Sequence, residues 1–168
     1  MNDSEQHVIT VSVIDDDPLV CQAMSMILRD YSQGRVSVVS TSTDGATAMR
    51  NADSEHPDVV LMDVAMPGID GIETTRRLRA LRNPPHVLIL TSLNPSNTVE
   101  RSVEAGAEGF VSKTDAPEDI IRRIVGICEG TPQFNPASQR QLINDLSMQR
   151  PQSRRDEARA LLDTLPSR

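Results

Sequence analysis

Asp15, Asp16, Asp17, Asp63, Thr91 and Lys113 are of the types that handle phosphate and hard cations. Carboxylates crowded into one place repel one another, and a divalent cation relieves the repulsion. An all-oxygen site with few protein ligands suits Mg²⁺, which keeps several waters. The expected ligands are Asp16, Asp63 and the carbonyl of Ala65, with Asp15 beside them to hold a water or balance charge. A carboxylate is already ionised at neutral pH, so Asp63 needs no base to act as a nucleophile. It can attack a phosphoryl group whose oxygens are neutralised by Mg²⁺ and the Lys113 ammonium, while the Thr91 hydroxyl donates to one of those oxygens. Taken singly, these residues have plainer roles: a loop Asp, an N-cap, a strand-end Thr, a solvated Lys. The chemistry requires a fold that gathers them.

The pattern of elements supplies one. Val59-Val60-Leu61-Met62, bounded by Pro57 and Pro67-Gly68, is too short for a helix and reads as a strand buried on both faces, with Asp63 where it runs out into a loop. Val8 to Ile14 reads as a first strand, ending at the acidic run, and Pro18 opens a helix to about Tyr31 with Asp17 as its N-cap. A second strand at Val36 to Val39 and a helix from Gly45 to about Ala52 come next. After Asp70-Gly71, Ile72, Thr75, Leu78 and Leu81 mark a helix with Arg76, Arg77, Arg79 and Arg82 on its wet side. Val87 to Leu90 is a fourth strand ending in Thr91, and Pro95-Ser96 starts a helix to about Ala105. Gly109 to Ser112 is a fifth strand ending at Lys113. Pro117 begins a last helix with Ile120, Ile121, Ile124, Val125 and Cys128 inward. Strands alternating with helices require an α/β fold: a flavodoxin-like, doubly wound, five-stranded parallel sheet, order 2-1-3-4-5, with helices on both faces. In that order Asp15, Asp16 and Asp63 converge where the winding reverses, and Thr91 and Lys113 arrive on the next two strand ends.

Composition narrows the function classes. The chain has 168 residues, enough for one ordinary domain and a tail, and its aromatic content of 2% calls for an aliphatic core. A net charge of −7 argues against general affinity for nucleic acid. No apolar run is long enough to cross a bilayer and no signal pattern opens the chain, so a cytoplasmic location and no membrane partner are expected. Cys21 and Cys128 read as small core hydrophobes, and the scattered His7, His56 and His86 do not suggest zinc.

Val13-Ile14-Asp15-Asp16-Asp17-Pro18, Met62-Asp63-Val64-Ala65-Met66-Pro67-Gly68, Leu90-Thr91-Ser92 and Ala105-Gly106-Ala107-Glu108-Gly109-Phe110-Val111-Ser112-Lys113 together resemble the motifs of the receiver domain of bacterial two-component response regulators. The resemblance covers about Val8 to Glu129. It implies transfer of a phosphoryl group from a sensor histidine kinase to Asp63, with Mg²⁺ required, and a switch rather than an enzyme with turnover. Thr91 would be the switch hydroxyl and Phe110 the aromatic switch residue, often Tyr in the family, able to swing inward but lacking a hydroxyl. Thr114 stands after Lys113 where many receivers have Pro, so no cis bond is expected there. Apolar Ala65 and Leu93 flank the path of an attacking water, so slow loss of the phosphoryl group is expected.

The tail is similar to the segment after the receiver in NarL/LuxR-type transcription factors. Residues 1–130 are read as the receiver and residues 131–168 as a helix, Pro136 to Met148, and a linker toward an absent helix-turn-helix domain. DNA binding is then expected only through that missing domain, and a homodimer through the first and last receiver helices. Alternatives are a stand-alone receiver acting by protein–protein contact, a Mg²⁺-dependent phosphohydrolase, and a flavodoxin-like electron carrier. The phosphohydrolase usually wants an acid two residues past the nucleophile, where Ala65 stands. The electron carrier has too few aromatics to hold a flavin.

Overall fold

The apolar run at Val59 is a strand buried on both faces, and that fixes its neighbours in space. In the computed structural model, which describes residues 7–66, 68–91 and 98–134, the elements are β1 (Ile9–Ile14), α1 (Pro18–Tyr31), β2 (Val36–Ser42), α2 (Gly45–Glu55), β3 (Val59–Asp63), α3 (Gly71–Arg79), β4 (His86–Thr91), α4 (Thr98–Ala105), β5 (Gly109–Ser112) and α5 (Pro117–Cys128). The strands form one parallel sheet in the order β2-β1-β3-β4-β5, the expected doubly wound topology.

Successive side chains of a strand point to opposite faces, so an all-apolar strand feeds two cores. Val59 and Leu61 join Val11, Val13, Leu88 and Leu90 against Cys21, Met24 and Leu28 of α1 and Ile120, Ile121, Ile124 and Ile127 of α5. Val60 and Met62 join Ile14, Val87 and Ile89 on the other face, with Ala48 and Ala52 of α2, Leu78 of α3 and Val99 of α4. Three helices begin with an aspartate that accepts a backbone N–H: Asp17 from Leu19, Asp44 from Thr47 and Asp70 from Glu73. Such a cap contributes about 1 kcal/mol and fixes where the helix enters.

Boundaries move by a few residues. Asp63 is the last residue of β3 rather than the first of the loop, and Val8 precedes β1, 43% exposed. Thr91 belongs to β4, α2 runs on to Glu55, and α3 stops at Arg79, which leaves Leu81 and Arg82 beyond it. Arg79 does not face water freely: it pairs with Glu108 at 2.9 Å and donates to the Pro85 carbonyl at 3.0 Å. Cys21 is buried as expected, but Cys128 is exposed. Cys128 is the final residue of α5, and the inward turn there belongs to Ile127. The expected helix start at Pro95-Ser96, residue Leu93, the Pro136–Met148 helix and the remaining tail lie outside the described residues. Among the described residues no helix is long and apolar enough to cross a membrane.

Candidate phosphoacceptor site

β1, β3 and β5 each bring a charged group to their C-terminal ends. Asp15 stands just past the last residue of β1 and is fully buried. Its N–H donates to the Ser42 carbonyl at the end of β2 (3.1 Å), and its Oδ1 accepts the Asp17 N–H (2.9 Å). Asp17 in turn caps α1, so the acidic run is divided between site and helix. Asp63, 7% exposed, ends β3. A Cβ on Gly71 would stand 1.9 Å from the Asp63 carbonyl oxygen, so only glycine lets α3 begin this close to the acid. Lys113 stands just past β5, and its N–H donates to the Thr91 carbonyl at 2.7 Å.

The side chains meet. Lys113 Nζ lies 2.7 Å from Asp15 Oδ2 and 3.8 Å from Asp63 Oδ1. One oxygen each of Asp15, Asp16 and Asp63 fall within 4.8 Å of one another, with Asp16 on the exposed side. One ammonium therefore faces three carboxylates. Burial, then the charge of Asp15, push the Asp63 carboxyl up to about 6 against the pull of Lys113. Burial alone would lower the Lys113 ammonium, but its bond to Asp15 and the charges of Asp63, Asp15 and Asp16 hold it above its ordinary value.

The donor set fits a hard divalent cation. Asp15 Oδ2 is buried, and the Lys113 ammonium 2.7 Å away faces it together with Asp63 Oδ1 at 3.8 Å. The Val64 carbonyl accepts from Met66 (3.2 Å) and Gly71 (3.0 Å), whereas the carbonyl of exposed Ala65 accepts no backbone hydrogen bond among the described residues. Oxygen ligands, excess negative charge and an open side at Asp16 are what Mg²⁺ takes.

The response regulator receiver domain model matches residues 11–125. The chain belongs to that family. This receiver is 32% identical over 158 residues to a Pseudomonas aeruginosa protein that carries a transcriptional-regulator name, covering 94% of this chain and 71% of that one. It is 32% identical over 126 residues to the transcriptional regulatory protein LiaR of Bacillus subtilis, covering 75% of this chain and 59% of that one. It thus spans between 59% and 71% of the length of these two relatives. Among solved structures it is similar to a two-component response regulator of the LuxR family from Aurantimonas sp. SI85-9A1 (TM-score 0.73, 29% identity, 82% of this chain and 97% of that one). Its relatives are NarL/LuxR-type response regulators.

Half-buried Thr91 ends β4 beside Ser112 of β5, one residue past the Asp63–Leu90 pair. Phe110 needs no swing to reach the core: it is 2% exposed and packs with Val87, Ile89 and Val99. No peptide among the described residues is cis, as Thr114 after Lys113 leads one to expect. Sequence reasoning missed the close approach at Gly71, since an Asp-Gly pair is equally common as an ordinary helix start. It also missed the pairing of Glu108 with both Arg79 and His86 (2.9 and 2.8 Å), which no local pattern signals.

Proposed function

We propose that this receiver takes a phosphoryl group onto Asp63 from the phosphohistidine of a sensor histidine kinase, and that the change switches a transcription factor. The supporting observation is a buried aspartate at a strand end, within reach of Lys113 and crowded by two further acids. Asp16, Asp63 and the Ala65 carbonyl would hold Mg²⁺, with Asp15 beside them. The bound cation supplies charge neutralisation to the phosphoryl oxygens. An oxygen of Asp63 attacks phosphorus, the bond from phosphorus to the donor imidazole nitrogen breaks, and the nitrogen keeps the electron pair. Lys113 and the Thr91 hydroxyl hold the transferred group by charge-assisted hydrogen bonds. The product carries about two negative charges where the Asp63 carboxylate carried one.

The names of the relatives point to transcription as the output, reached through a DNA-binding domain beyond this chain. A homodimer belongs to the same reading: Leu19 and Met26 are 71% and 47% exposed, one helical face apart by seven residues on α1, which packs beside α5. Ala65 offers nothing to orient an attacking water, so the phosphorylated form decays slowly, and Ala65→Asn shortens its lifetime severalfold. The decisive experiment is incubation with acetyl phosphate and Mg²⁺, then intact-mass measurement. Wild type gains one phosphoryl group and Asp63→Asn gains none; an equally labelled Asp63→Asn would overturn the reading.

A further inference from the structure

Beyond α5 the chain turns back onto the sheet. The Phe110 N–H donates to the Gln133 carbonyl (2.8 Å) and the Gln133 N–H donates to the Glu108 carbonyl (2.9 Å), a parallel bridge centred on Gly109 and Gln133. It covers the outer edge of β5, the last strand of the sheet. Both glycines that meet Gln133 leave room that a side chain would fill. A Cβ on Gly109 would stand 2.2 Å from the Gln133 carbonyl oxygen, and one on Gly126 would stand 2.3 Å from Gln133 Nε2. Beside the bridge the rings of Phe110 and Phe134 meet, centroids 5.7 Å apart and planes at 42°, an attractive aromatic geometry.

Phe110 is therefore held from two directions. Its ring has no hydroxyl to draw it toward water, Phe134 covers it, and its own N–H is tied to Gln133. Three residues further along, just past the same short strand, stands Lys113, whose ammonium faces Asp63 and whose N–H is fixed by Thr91. A change that draws Thr91 and Lys113 toward a phosphoryl group acts on β5 from one side, and residues 131–134 bear on it from the other.

We infer that residues 131–134 are a latch on β5, and that occupancy of Asp63 and closure of the latch reinforce each other. This rests on the phosphoacceptor reading of Asp63. The signal leaves the domain through Gln133 and Phe134 rather than through free rotation of Phe110. Drawing Lys113 and Thr91 toward the phosphoryl group pulls on β5 through the Lys113 N–H bond to the Thr91 carbonyl, and the latch bonded to Phe110 tightens with the strand. Coupling between two sites is reciprocal, so opening the latch must weaken binding at Asp63 by the same factor.

The test uses the whole 168-residue chain, amide hydrogen exchange resolved by residue, and beryllofluoride with Mg²⁺ as the probe. Exchange at the Phe110 and Gln133 amides slows on adding the probe to wild type and is unchanged in Asp63→Asn. If the amides of residues 64–66 respond while Phe110 and Gln133 do not, or exchange faster, the latch is overturned and the phosphoacceptor reading stands. If no amide responds, both fall. Gly109→Ala forces Gln133 off the strand edge while giving β5 a better strand residue. It should speed exchange at Gln133 and weaken beryllofluoride affinity about fivefold, and Phe134→Ala should act in the same direction. Unchanged affinity in a Gly109→Ala protein whose Gln133 amide has lost protection would overturn the coupling.

Discussion

Asp58 and Asp63 stand at opposite ends of one strand, and their surroundings are opposite. Asp58 Oδ2 accepts the Thr10 N–H (3.0 Å) and the Thr10 hydroxyl (3.2 Å) and meets His7 Nε2 at 3.0 Å. Its own N–H donates to the Thr10 carbonyl (2.9 Å) and its carbonyl accepts from His86 (2.9 Å). Burial would raise its carboxyl, but the bonds from Thr10 and His7 outweigh burial and hold it below the ordinary carboxylate range. Asp63 finds other acids and one shared ammonium instead, and its carboxyl is pushed up to about 6. An aspartate supplied with donors at the sheet's N-terminal end fastens β1, β3 and β4 together. One left short of donors at the C-terminal end fits the cation and phosphoryl roles proposed for Asp63.

The contrast can be broken at either end. The largest effect is expected from Lys113→Met, which removes the one cation that faces the acids among the described residues and should slow labelling of Asp63 by acetyl phosphate about a hundredfold or more; Asp58→Asn should leave that rate unchanged. Initial rates by intact mass decide, and equal slowing by both variants would erase the distinction. Next comes Gly71→Ala, which drives a methyl against the Asp63 carbonyl oxygen and should cost about 3 kcal/mol in urea unfolding.

A smaller effect sharpens the electrostatic half of the comparison. In EDTA, Asp63→Asn should raise the melting midpoint by several degrees at pH 7.5. The folded Asp63 carboxyl titrates at about 6, above its ordinary 3.8. Its favourable contribution is thus complete below about 3.8 and lost as pH rises through about 6. The gain from Asn is accordingly greatest above pH 6 and vanishes toward pH 4; melts across that range check the sign. Asp58→Asn should do the reverse and least. Its lowered carboxyl contributes above 3.8 and loses the contribution as pH falls through its depressed value. With its side chain 33% exposed, screening keeps the cost near neutrality to about 1 kcal/mol.

What the amino-acid order determined unaided was the frame and the addresses within it. All-apolar runs such as Val59 to Met62 and Val87 to Leu90 leave no polar side to face water, so they must be covered on both faces, and a parallel sheet wound in both directions is the result. Asp-Pro and Asp-Gly set helix starts by bonds within three residues, which local chemistry can specify. Once the strands were placed, Asp15, Asp63 and Lys113 stood at their ends by count alone.

Only the tertiary structure decided which of two similar aspartates is satisfied, because the donors on Asp58 come from 48 and 51 residues away and the acids around Asp63 come from the end of another strand. The same holds for the glycine that α3 needs against Asp63, for the outward turn of Cys128, and for the burial of Phe110 under Phe134. Each depends on what the chain meets after long loops have closed. Periodicity reports which way a side chain points from its own element, but a charge state or a fit depends on the partner it meets there.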